Sequence, residues 1–278
     1  MIVDFHTHCF PDALAPNAIA HLLENGEQNA AKFGKQMLNH TDGTAGGLQA
    51  SAAKAGIDLC LVLPIATSAR PSPRLNDTAA AVDKMSGLRS FGSVHPHNPE
   101  WDKELERLAG LGLRGIKLHP EYQGCYADED ATVQVVRAAG ELGLYVYFHA
   151  GADVGMPDPV HGSVRHFLNL RKAAPDTNII LAHMGGFYMW EDVLDALDDL
   201  HVYLDTSYSV MQYPQKHELF ARIIERNTPQ RVLFGTDCPW EDQSQSLRDT
   251  LSFLREYGFS EQQQQAILGG NALSLLQQ

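Results

Sequence analysis

Five polar residues occupy a repeated place in this sequence: each stands at the end of a short apolar run. His6 and His8 close Ile2–His8, His149 closes Leu144–His149, His183 closes Asn178–His183, and Asp237 closes Arg231–Asp237. Residues 6 and 8 lie two apart, so on a strand their side chains share a face and can offer two imidazoles to one ion. Imidazole nitrogens and carboxylate oxygens are the donors that borderline divalent metals prefer, and a catalytic site leaves one coordination position open. One His-x-His is weak evidence, and a histidine ending an apolar strand is often a hydrogen-bonded core residue. Five such residues are not explained by packing, because each imidazole buried without a partner costs about 1–3 kcal/mol. The expectation is that four imidazoles and one carboxylate converge on a shared cation.

Something must bring these distant residues together. Eight runs rich in β-branched and aromatic residues recur: Ile2–His8, Cys60–Ile65, Ser90–His95, Leu113–His119, Leu144–His149, Asn178–His183, Val202–Ser207 and Arg231–Asp237. They are nearly continuous in apolar character, as strands buried on both faces are. Helical patterns alternate with them over Trp101–Gly110, Ala131–Gly143, Gly162–Ala174 and Glu191–Leu200. Eight strand–helix units in about 250 residues predict a closed (β/α)8 TIM barrel, an α/β fold whose active sites sit at the C-terminal ends of the strands. An open doubly wound sheet is the rival. The expected organisation is one barrel domain over residues 1–278, with an extended loop or insertion at about 10–47 placed as a lid.

Composition narrows the function classes. The chain has 278 residues, with 21 Lys+Arg against 34 Asp+Glu, a formal charge of −13. That charge repels a phosphate backbone, so no nucleic-acid partner is expected. No apolar run approaches the ~18 residues that cross a bilayer, so no membrane partner is expected either. Met1–His6 offers no basic, apolar leader, and Cys9, Cys60, Cys125 and Cys238 show no CxxC pairing. Reduced thiols and a cytoplasmic location are expected.

Beyond the single residues, the chain resembles the amidohydrolase superfamily, in its amidohydrolase-related group of metal-dependent hydrolases and aminocarboxymuconate-semialdehyde-type decarboxylases. The resemblance spans essentially the whole length. It rests on Asp4-Phe5-His6-Thr7-His8, Gly115–Pro120 (GIKLHP), Phe148-His149-Ala150-Gly151, Ala182–Gly186 (AHMGG), Phe234–Trp240 (FGTDCPW) and Ile267–Ala272 (ILGGNA). It implies that His6, His8, His149 and Asp237 ligate one divalent ion, zinc first and manganese second. It also implies that His183 lies just beyond ligand distance. Asp237 would take the proton of an attacking water, with His183 stabilising developing charge. Binuclear members place a carboxylated lysine where Lys117 stands; a second metal bridged there is the less favoured expectation.

The function expected on this resemblance is hydrolysis of a small anionic or cyclic ester, lactone or amide. The alternative is nonoxidative decarboxylation of a small aromatic or unsaturated acid, which uses the same ligands. A phosphoesterase and a non-catalytic metal-bound barrel are more remote. The expected partner is a small-molecule substrate, and a homodimer is common among relatives. Substrate contacts are sought at His119, Lys117, His161, Arg70 and Trp240, with Arg74, Asp158, Tyr122, Tyr188 and the His95-Pro96-His97 turn as further candidates.

Overall fold

Eight parallel strands close into a barrel in the computed structural model, which describes residues 1–33, 36–70, 73–156 and 158–277, leaving aside the side chains of 29–32. The strands are β1 (Val3–Thr7), β2 (Leu59–Val62), β3 (Leu88–Ser90), β4 (Gly115–Leu118), β5 (Tyr145–Phe148), β6 (Ile179–Leu181), β7 (Tyr203–Asp205) and β8 (Val232–Leu233). Neighbours pair in sequence order as two parallel runs, β1-β2-β3 and β4 through β8. Single bridges join the runs at Gly92–Ile116 and Thr7–Cys238. Backbone bonds complete both seams: Lys117 N donates to Gly92 O at 2.8 Å, Phe5 N to Phe234 O at 2.8 Å and His8 N to Cys238 O at 2.7 Å. The predicted barrel is therefore the observed one.

Seven strands lie within a residue of their predicted runs but are shorter than them, whereas β3 meets the predicted run Ser90–His95 only at Ser90. The interior is packed by Phe5, Leu61, Phe91, Tyr147, Ile180 and Leu233. Phe5 stacks on Tyr147 at 6.2 Å between centroids and meets Phe91 edge-on at 6.1 Å. Around the strands run ten main helices: α1 (Ala15–Phe33), α2 (Ala45–Ala55), α3 (Pro73–Val82), α4 (Trp101–Gly110), α5 (Pro120–Gln123), α6 (Asp130–Glu141), α7 (Val164–Ala173), α8 (Trp190–Leu200), α9 (His217–Asn227) and α10 (Gln243–Glu256). The predicted helices match α4, α6, α7 and α8 within about two residues. Gly143 ends the α6 unit at a φ of 72°, the conformation in which a Cβ is disfavoured.

The segment about 10–47 departs from the expected extended loop. Half of its length is the 19-residue helix α1. Phe10 N bonds Gly43 O at 2.8 Å and His40 N bonds Pro239 O at 2.7 Å, tying the segment to itself and to the end of β8. Near the other end of α1, Tyr188 donates its hydroxyl to Phe33 O at 2.9 Å. A helix satisfies its own backbone polar groups, which a long loop over a barrel mouth does not. Among the described residues, no helix is long and apolar enough to cross a membrane.

Candidate metal centre

The first strand sets the centre. Its register against β2 breaks between Asp4 and Thr7, so that two residues face one. Such a bulge re-aims side chains. Phe5 packs on Phe91 and Tyr147, and the adjacent His6 ring also meets Tyr147 at 5.3 Å. Strict alternation would have sent one of the pair outward.

At the mouth, His6 Nε2 lies 3.2 Å from His8 Nε2, and Asp237 Oδ1 lies 3.4 and 3.0 Å from those two nitrogens. The opposite ring nitrogens decide what these atoms are. His6 Nδ1 is 2.7 Å from the Asp205 carboxylate, and His8 Nδ1 is 2.8 Å from the Leu63 carbonyl. Both partners only accept, so both Nδ1 atoms carry the proton and both Nε2 atoms present bare lone pairs. Burial, helped by the Lys117 ammonium, pushes the His6 pKa down to about 3, so its ring stays neutral. With both rings neutral, two lone pairs and a carboxylate face one point, an arrangement of donors that can hold a cation. The donor set fits a divalent metal.

His149 and His183 form an adjoining pair. His149 Nε2 donates to Ala152 O at 2.9 Å and His183 Nδ1 to Ser207 O at 3.1 Å. Their remaining nitrogens, His149 Nδ1 and His183 Nε2, therefore face each other as lone pairs 3.0 Å apart. The structure thus brings the five expected donors to one end of the barrel in two groups. His6, His8 and Asp237 form the tight one, whereas His149 is grouped with His119 and Asp153. Two of the five, His183 and Asp237, have positive φ values of 58° and 64°. Left-handed backbone in such residues costs roughly 1–3 kcal/mol and clusters at functional sites. It is held by His183 N on Asp205 Oδ1 at 2.8 Å and by Asp237 N on His6 O at 2.8 Å.

Asp205 was not foreseen. It is fully buried at the end of β7, and its carboxylate accepts from His6 Nδ1, Ser207 Oγ, Ser207 N, His183 N and Tyr147 OH. The available signal was an acid inside an apolar strand, which persists only if paired. Asp205 locks the tautomer of His6 and the entry to His183. Replacing it with Asn should weaken divalent-ion affinity about 10–100-fold while leaving the far-ultraviolet circular dichroism unchanged. A chelating-dye competition that finds equal affinity would remove this role.

Lys117 is buried inside the barrel, its Nζ 3.4 Å from His6 Nε2 and 4.7 Å above the Tyr147 ring. Burial lowers its pKa to about 8, against the attraction of Asp205, Asp237 and Asp153. Between pH 8 and 10.5 the unfolded chain therefore binds the extra proton, and native stability rises with pH through that window. In metal-free protein, wild type should gain about 3 kcal/mol relative to Lys117→Met between pH 7.5 and 10.5. Urea unfolding at the two pH values measures it, and parallel curves would refute it.

His119, two residues on, caps α5, its Nδ1 accepting from Tyr122 N at 3.3 Å. Its ring stacks on His149 at 4.1 Å, and its Nε2 points toward Asp153 Oδ2 at 3.5 Å. With Nδ1 an acceptor, Nε2 carries the proton. Asp153 was also missed, because it lies in a loop where sequence spacing has no meaning.

A cavity of about 1280 Å³ opens onto the centre, and Lys117, His119, Tyr122, Trp240 and Arg74 all line it. The other candidates, His161, Arg70, Asp158, Tyr188, His95 and His97, do not. His161 turns away to Glu121, with its Nδ1 2.8 Å from Oε2 and its backbone N–H on Oε1. Arg70 is exposed and stands outside the lining. The structure therefore does not bring these two into the cavity lining: a charged loop residue near a strand end in sequence need not face the mouth. His97 is likewise turned outward, 2.6 Å from Glu129.

The amidohydrolase family profile matches residues 3–277. No curated protein matches the sequence. Among solved structures, the chain is similar to a 5-carboxyvanillate decarboxylase from Sphingomonas paucimobilis, with 17% identity, TM-score 0.67, and 99% of this chain and 98% of that one covered. It is similar to a 2,6-dihydroxybenzoate decarboxylase from Rhizobium, with 17% identity, TM-score 0.68 and the same coverage. A Polaromonas dihydroxybenzoic acid decarboxylase, solved with manganese and 2-nitroresorcinol, gives 16% identity and TM-score 0.68 over 99% and 96%. At these identities the likeness establishes the fold. It also corrects the expectation of ester, lactone or amide hydrolysis, because the reaction these barrels are named for is decarboxylation. The ligand set is common to both reactions and could not have separated them.

Proposed function

The chain belongs to the amidohydrolase family, and from that premise we propose that it is a divalent-metal-dependent, nonoxidative decarboxylase of a small aromatic or unsaturated acid. The observation that carries the proposal is the convergence of His6 Nε2, His8 Nε2 and Asp237 Oδ1 at the inner end of a cavity. The named activities of the matched barrels favour decarboxylation over hydrolysis. His6, His8 and Asp237 would hold the ion, with His149 facing it. A bound divalent ion would supply a Lewis acid that neutralises and orients the substrate's carboxylate and neighbouring oxygen. Imidazole and carboxylate donors accept zinc or manganese, and manganese is the ion found in the Polaromonas barrel.

The chain's own residues account for the rest of the chemistry. Loss of carbon dioxide leaves the electron pair of the broken bond on a carbon, which must then take up a proton. The proton it takes up comes ultimately from solvent, while the His119 Nε2–H on the cavity wall, 3.5 Å from Asp153 Oδ2, can hydrogen-bond and orient the substrate. Phe187, Tyr208 and Trp240 line the same end and keep the reacting carbon away from bulk water.

Assay of 2,6-dihydroxybenzoate and 5-carboxyvanillate should give carbon dioxide without incorporation of oxygen from labelled water. Activity should vanish on chelation and return with manganese or zinc. Turnover that incorporates solvent oxygen, or that survives chelation, would sink the proposal.

A further inference from the structure

The cavity is larger than a one-ring acid requires. At about 1280 Å³ it exceeds the ~300–1,000 Å³ usual for small-molecule sites. From the metal centre it extends under α1, past Leu14, Ala18 and Leu22, and also between β2 and the helices α2 and α3. The second limb is unusual, because a barrel ordinarily packs helix against strand there. Its walls are Val62 of β2, Leu75, Ala79 and Val82 of α3, and Met85 beyond it, with the small Ala45 and Thr78 leaving the space open. Away from the centre, the acidic and basic lining residues are Asp12 and Arg74, both exposed. Among the described residues, the inner walls of the limb offer no ionic partner to a second charged group.

We propose that the acid this site takes carries an apolar chain of several carbons, and that the chain occupies the limb between β2 and α3. The inference rests on the decarboxylase reading for the acid group alone. The limb itself is argued from volume, from its apolar lining and from its continuity with the metal centre. A short polar substituent would leave this apolar surface in contact with water. A methylene moved out of water is worth up to about fourfold in affinity, part of which is lost in ordering the chain.

The test compares 2,6-dihydroxybenzoate with 4-hexyl-2,6-dihydroxybenzoate on the metal-loaded protein, by calorimetric Kd and by carbon dioxide release. The hexyl group stands opposite the carboxylate, so an acid held at the centre directs it away. Wild type should bind the hexyl acid at least tenfold more tightly. Thr78→Trp narrows the limb from an exposed helix position where the hydroxyl bonds only Arg74 O, and it should bring the ratio of the two Kd values near one. Ala45→Phe narrows it from the other wall and should do the same. Equal Kd values in wild type, or a ratio unchanged in both variants, overturn the inference while leaving the decarboxylase reading intact if both acids release carbon dioxide. A tenfold preference that the variants remove, without release from either acid, upholds the limb and defeats the decarboxylase reading.

Discussion

Asn in place of Asp237 is expected to lower kcat/KM for carbon dioxide release by at least about 10³-fold and to leave the purified protein with little bound divalent metal. The fold should survive. Asparagine tolerates the left-handed φ of 64° at this position, and the backbone N–H would still donate to His6 O. What disappears is the only negative charge in the tight donor group, against which His6 Nε2 and His8 Nε2 converge at 3.4 and 3.0 Å. Two neutral imidazoles remain, and their lone pairs repel at 3.2 Å unless a cation or a proton comes between them. Measuring metal content with the rate separates loss of the ion from loss of a proton carrier. An Asp237→Asn protein that keeps both a full equivalent of metal and most of its rate would show that the centre has been misplaced.

Ala in place of Gly151 should destabilise the protein by about 3–5 kcal/mol, read as a fall in the urea midpoint at constant m-value. Gly151 has a φ of 84°, and an added Cβ would sit 2.2 Å from Phe187 N and 2.4 Å from Phe187 O. Both atoms belong to backbone held by the bonds of Phe187 N to Ala150 O and Ala152 N to Phe187 O. Neither can move without parting the loops that follow β5 and β6. Strain at positive φ and overpacking each contribute about 1–3 kcal/mol. The same loops carry His149 and His183, so any Gly151→Ala protein that folds should also show the His149–His183 pair displaced and the rate reduced. A midpoint within about 0.5 kcal/mol of wild type would mean that the approach of these loops is looser than described.

The glycine explains one of the motifs noticed in the sequence. Phe148-His149-Ala150-Gly151 ends a strand, presents an imidazole, and then lets the backbone pass close against the next loop. Sequence alone displays the histidine and the glycine, but the contact that requires the glycine joins residues 151 and 187. His119 is a similar case. Its place after a strand was legible, whereas its stacking on His149 depends on β4 and β5 lying side by side.

The segment at 10–47, expected as an extended loop or insertion, is half helical for a related reason. Residues 10–47 follow no barrel periodicity and so read as loop, yet α1 exists because its apolar residues have a cavity to cover. His161 and Arg70 lie outside the cavity lining, because proximity in sequence to a strand end says nothing about which way a loop turns. Asp205 went unnoticed because its importance lies in five donors gathered from β1, β5, β6 and β7.

The sequence by itself determined the barrel and the residues at its mouth, because eight nearly continuous apolar runs alternating with helical patterns, seven of them ending in a polar residue, admit little else. Tertiary structure alone decided which nitrogen of each imidazole faces inward, how the β1 bulge aims His6, and which donors cluster. It also decided how much space the substrate finds. Those properties arise where hydrogen-bond partners from different strands meet, and local patterns of residue type do not encode such meetings.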